Sequence, residues 1–172
     1  MDGQEDNWSQ MLDEAALRAR SAGRGDVADY IALRTRNDEI RRTAVDWLFD
    51  AMREFAGEAN RRHAGILVED SDPHRFSIGT TGLEGSLLRF RQGVRCLTVE
   101  AGWTRNPSDG FMRGGALALA RITHFGRAKN NAELHLVRFE DKPRWFTINP
   151  DGMKTSFEIT DLVDHFRVFL GA

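Results

Sequence analysis

Residues 37–63, NDEIRRTAVDWLFDAMREFAGEANRRH, decide the fold of this chain. Ile40, Ala44, Trp47, Leu48, Ala51, Met52, Phe55 and Ala59 recur at three- and four-residue spacing, no proline interrupts them, and the first glycine is Gly57. That pattern is a long amphipathic helix with one apolar stripe. Asn37-Asp38-Glu39 supplies an N-cap and first-turn acids, and Asp38 with Arg42 and Glu58 with Arg62 place an acid four residues before a base. Trp47, Leu48, Met52 and Phe55 are the expected core anchors.

Working outward, residues 7–20 carry Trp8, Met11, Leu12, Ala15, Ala16 and Leu17 at helical spacing, and Ser21-Ala22-Gly23 ends that helix. A short second helix starts at Asp26, with Val27, Tyr30 and Ile31 on one stripe. After Gly65 the apolar period drops from 3.6 to 2, Val, Ile, Thr, Phe and Trp become frequent, and Gly, Asn, Asp and Pro punctuate at short intervals. Six strands are expected, at 75–80, 85–91, 94–104, 115–125, 133–139 and 144–148, with 155–159 a possible seventh. Their connections are too short for parallel crossovers, so the sheet is mostly antiparallel. The Gly-rich stretch 79–86 reads as a hairpin loop. Thr160-Asp161 caps a last helix bearing Leu162, Val163, Phe166, Phe169 and Leu170, which Gly171 ends.

The expectation is one α+β domain: short N-terminal helices at 1–36, the long helix at 37–63, a six- to seven-stranded antiparallel meander at 66–159 packed on it, and a short helix at 160–171. There is no internal repeat and no low-complexity linker. In element order this resembles the cystatin-like and nuclear-transport-factor-like cones. No motif carries the resemblance, and it implies no function.

At 172 residues, with 41% hydrophobic and 29% charged side chains, the chain is long enough for a sizeable core, and disorder and collagen-like repeats are excluded. Cys96 is the single cysteine, so an internal disulfide and multi-cysteine metal sites are excluded too. No apolar stretch approaches the ~20 residues of a membrane span, and Met1-Asp2-Gly3-Gln4-Glu5-Asp6 is acidic, so a cytoplasmic protein is expected. Charge is uneven: residues 1–72 hold 10 basic and 16 acidic side chains, residues 73–172 hold 14 and 10. Either the basic half is a binding surface or an acidic helical layer compensates a basic sheet layer.

Motifs for dinucleotides, nucleoside triphosphates, zinc or serine hydrolysis do not occur, and no cofactor or metal is implied. If Gln92-Gly93 is a two-residue turn, Arg91 opposes Val94 and Arg89 opposes Cys96. Arg89, Arg91 and Glu100 then share one face, while Leu88, Phe90, Leu97, Val99, Ala101 and Trp103 share the other. The connection at 105–114 sets Phe111 and Met112 among Arg105 and Arg113, a mixed apolar and cationic tip suited to recognition. Ala116, Ala118 and Ala120 alternate with Leu117 and Leu119, so both faces of that strand need cover. Such a strand suggests a homodimer, or docking on another protein, through Arg89, Arg91, Arg105, Phe111, Met112 and Arg113.

The alternative is a small-molecule-binding or enzymatic cone whose pocket, between the long helix and a concave sheet, is lined by Trp103, Arg121, His124, His135 and Trp145. In it His124 and His135 could join Glu100 or Glu133 around a metal or a proton. Nucleic acid is a third and weaker reading, since the arginines that would hold it belong to a mildly acidic chain.

Overall fold

A computed structural model describes residues 2–172, with side chains from residue 10 onward. Met1 and the side chain of Trp8, which the periodicity places on the first apolar stripe, lie outside the described residues. Helices α1 (Asp2–Ser21) and α2 (Gly25–Arg61) come first, seven strands follow, and α3 (Ile159–Leu170) ends the chain. The α+β class read from the periodicity is therefore the observed one, with a long helix, an antiparallel sheet and a short C-terminal helix.

The boundary between the second and third helices is corrected. α2 runs unbroken from Gly25 to Arg61, and Asn37-Asp38-Glu39 lies inside it. Capping residues begin a helix only where the preceding backbone has left the α region. Between Gly25 and Gly57 neither glycine nor proline forces that, so Asn37 and Asp38 are carried along at the small cost of their propensity. Asp38 pairs with Arg41 at 2.8 Å, and Glu58 with Arg62 at 3.0 Å as its spacing implies. α1 ends where expected: Gly23 takes φ of 75° and Arg24 N donates to Ala19 O at 2.8 Å, a left-handed helix stop.

The chain divides into two compact units, Met1–Arg42 and Thr43–Ala172. In the first, Leu12, Ala15, Ala16 and Ala19 of α1 and Val27, Ile31 and Thr35 of α2 are half-buried at helical spacing. Ala28 is its one fully buried side chain among the described residues. Met11, Leu17 and Tyr30, assigned to apolar stripes, are exposed instead.

The second unit is built on a sheet whose strands follow chain order, β1 (Leu67–Ile78), β2 (Thr81–Gln92), β3 (Arg95–Trp103), β4 (Ala118–His124), β5 (Ala132–Phe139), β6 (Lys142–Ile148) and β7 (Lys154–Ser156). β1 begins eight residues before the expected start, and the supposed loop at 79–86 is a Gly79-Thr80 turn followed directly by β2. The β2–β3 turn is Gly93-Val94, so Arg91 opposes Cys96 and not Val94. A slip of two residues leaves every side chain on its original face. Leu88, Phe90, Leu97, Val99, Ala101 and Trp103 are accordingly all buried.

Val45, Leu48, Phe49, Met52 and Ala56 of α2 are buried with them, as are Leu162, Phe166 and Phe169 of α3. Phe166 meets Phe55 at 5.9 Å and Phe90 edge-on at 6.0 Å, and Trp145 Nε1 donates to Ala44 O at 3.2 Å, joining helices and sheet in one core. Trp47 is not an anchor: it is 39% exposed. The stripe that packs runs through Val45 and Phe49, next to the one chosen from periodicity. Neighbouring stripes on a helix this rich in apolar residues satisfy the same spacing.

On the opposite face, the sheet curls over itself. Gly85 and Gly102 are paired across β2 and β3, and a Cβ on either would strike the other strand's backbone. Glycine in a strand marks such close approach and bending. Arg121 of β4 donates to Ser77 O of β1 at 3.3 Å, although a flat sheet would hold these strands roughly 14 Å apart. The curl gathers Leu83, Ala116 and Leu119 into a small second core, packed against Phe76, Ile78 and Met112. The inference that Leu119 needs a second chain to cover it is thereby corrected: the turned-over end of β1 covers it.

Candidate functional site

The residues nominated for recognition do not form one surface. Arg89 and Arg91 both face Glu69 of β1 at 3.6 Å. Arg105 stacks on the Trp103 ring at 4.0 Å and donates to Glu84 O at 3.1 Å, so it props the loop. Asp109 accepts from Arg105 N and Asn106 N at 3.0 and 2.9 Å, and these backbone bonds hold its carboxyl below the usual range. Phe111 is 92% exposed and Arg113 is exposed, whereas Met112 is packed in the small core. Met112 leaves the expected pair because its neighbour's carbonyl is pinned by Thr81 Oγ1 at 2.9 Å.

The alternative pocket does not assemble. Trp103, His124 and Trp145 lie on the helix-covered face, while Arg121 and His135 lie on the other, as strand register requires. His124 and His135 accordingly do not converge on a carboxylate. No group of three or more His, Cys, Asp or Glu side chains that could hold a metal occurs among the described residues.

Polar clusters lie on both faces of the sheet. On the curled face, buried Glu100 accepts from Arg121 Nε and Nη2 at 3.0 and 2.7 Å and bonds His74 Nε2 at 2.9 Å, with Phe76 stacked on His74. All three polar side chains are matched, so this cluster latches β1 to β3 and β4. Nearby, His135 Nε2 bonds Glu133 at 3.0 Å, and its Nδ1 is buried without a partner among the described residues.

On the helix-covered face, His124 Nε2 meets His165 Nδ1 of α3 at 2.9 Å with the rings stacked. Burial first, then His165 and Arg127, pushes His124 down from 6.5 to about 4. Burial also lowers His165, against the opposing pull of Asp161 and Asp164. Two neutral imidazoles share that bond, beside a shallow groove lined by Thr147, Thr155, Ser156 and Asp164. α3 is fixed at both ends: Glu158 N donates to Asp161 Oδ2 at 2.7 Å, so the cap is Glu158, two residues earlier than Thr160, and Arg95 and Arg127 donate to the carbonyls of Leu170 and Val168.

The first unit offers a different kind of surface. Leu17 is 63% exposed and Leu33 47% exposed, and Met11 and Tyr30 are exposed as well. Sequence reasoning missed this surface because it assigned Met11, Leu17 and Tyr30 to the core and did not single out Leu33. It missed His74 because the start of β1 was placed after it, and His165 because the apolar residues of α3 took all the weight.

No family model, no curated protein and no solved structure matches this chain.

Proposed function

We propose that the chain is a non-enzymatic protein-interaction domain that self-associates through the exposed apolar side chains of its first unit. The observation that carries this reading is the exposure of Met11, Leu17, Tyr30 and Leu33 in a unit that fully buries only Ala28 among its described side chains. Chain segments of about 40 residues rarely bury enough apolar surface to stand alone, and paired helices commonly complete a four-helix core by adding a second pair. The sheet supports self-association less well, since Leu119 is covered within the chain. The free β1 edge also carries Glu69, Asp70, Asp72 and Pro73, residues that discourage strand addition. Exposed Phe111 and Arg113 remain available for a separate partner.

The test is light scattering on the full chain beside a Leu17→Glu, Leu33→Glu variant. The parent is expected at twice the chain mass and the variant at the chain mass, with the same circular dichroism. A parent that stays monomeric at tens of micromolar overturns the reading.

A further inference from the structure

Asp13, Leu17 and Arg20 of α1 and Asp29, Leu33 and Arg36 of α2 repeat one pattern, Asp followed after four residues by Leu and after three more by Arg, and all six are exposed. Steps of four and three keep each trio on a single helical stripe. None of the four charges has an ion-pair partner among the described residues. By contrast Asp38, Asp50 and Glu58 pair with arginines three or four positions on, at 2.8, 3.1 and 3.0 Å.

We infer that the occupant of this surface is a second copy of the chain, its Asp-Leu-Arg stripes running antiparallel to those of the first. The inference rests on the reading that the first unit self-associates, and it supplies the register. Residues of antiparallel helices meet when their numbers sum to a constant. Seating Asp13 opposite Arg20 therefore seats Arg20 opposite Asp13 and brings the two Leu17 side chains within one residue of each other. Parallel pairing would set Asp against Asp and Arg against Arg. A two-fold interface needs a surface complementary to itself, and an acid, an apolar residue and a base in that order provide one. An unrelated partner would not require the order to be self-complementary, nor to recur in both helices.

Two full-length variants test the register: Asp13→Arg with Asp29→Arg, and Arg20→Asp with Arg36→Asp. Each alone turns attraction into repulsion and is expected to weaken self-association by about tenfold or more. An equimolar mixture is expected to recover the parent's affinity as a heterodimer, because the reversed stripes complement each other. If both variants associate as tightly as the parent, or the mixture gains nothing, the antiparallel register is wrong. Should the Leu17→Glu, Leu33→Glu variant still dissociate in that case, self-association through this unit survives and only the register fails. A monomeric parent removes both.

Discussion

Gly85 and Gly102 lie directly opposite each other on β2 and β3, so close that a Cβ on Gly85 would stand 2.0 Å from Ala101 O and one on Gly102 2.6 Å from Glu84 O. The missing side chains let the strands close up and bend, and the bend brings Arg121 to Ser77 and His74 to Glu100. Alanine at either position has to push backbone, not a mobile side chain. Gly85→Ala and Gly102→Ala should each cost about 3 kcal/mol in urea denaturation. A cost below about 1 kcal/mol would mean that the strands part freely and that the curl has another origin.

The two neighbours Trp47 and Leu48 should respond in opposite ways to truncation. Leu48 is fully buried, so Leu48→Ala should cost roughly 2 to 5 kcal/mol. Trp47 is part-exposed, so Trp47→Ala should cost about 1 kcal/mol or less in the monomer. Equal losses in chemical denaturation would place both side chains in the core.

Local periodicity made most of the second unit legible, and the reason is visible in the β2–β3 hairpin. The turn was misplaced, yet the slip was two residues, so Phe90 stayed inside and Arg89 outside. Trp47 shows the limit, because spacing alone cannot choose between adjacent stripes of one helix. Asn37 shows another, since a cap signal without a helix breaker before it starts nothing. The curl was illegible for a different reason. It depends on Gly85 meeting Gly102, a pairing between strands that no window along the chain contains. The exposed trios on α1 and α2 were missed because spacing placed Leu17 on an apolar stripe and did not single out Leu33.

The loop between β3 and β4 should divide at Phe111 and Met112. Phe111→Ser should leave Tm unchanged, because the ring is exposed. Met112→Ser should lower Tm by a few degrees, because the side chain packs against the cluster of Leu83, Ala116 and Leu119. Thermal melts of the two single variants decide it, and equal melting temperatures would put Met112 at the surface.

The His124–His165 pair gives the fold a pH dependence of known sign. His124 is held at about 4 and His165 is also lowered, both from 6.5. The unfolded chain therefore binds more protons, so their contribution is complete above about pH 6.5 and is lost as pH falls toward about 4. Stability from urea midpoints should decline through that window, and His124→Gln should flatten the decline. An unchanged slope in the variant would show that other groups set it.

Self-association is the claim on which the functional account turns, and sedimentation equilibrium of the unaltered chain at tens of micromolar addresses it most directly. The account predicts a concentration-dependent mass that rises to twice that of the chain and goes no further, as a closed two-fold pair requires. A mass fixed at that of one chain across the range would contradict it.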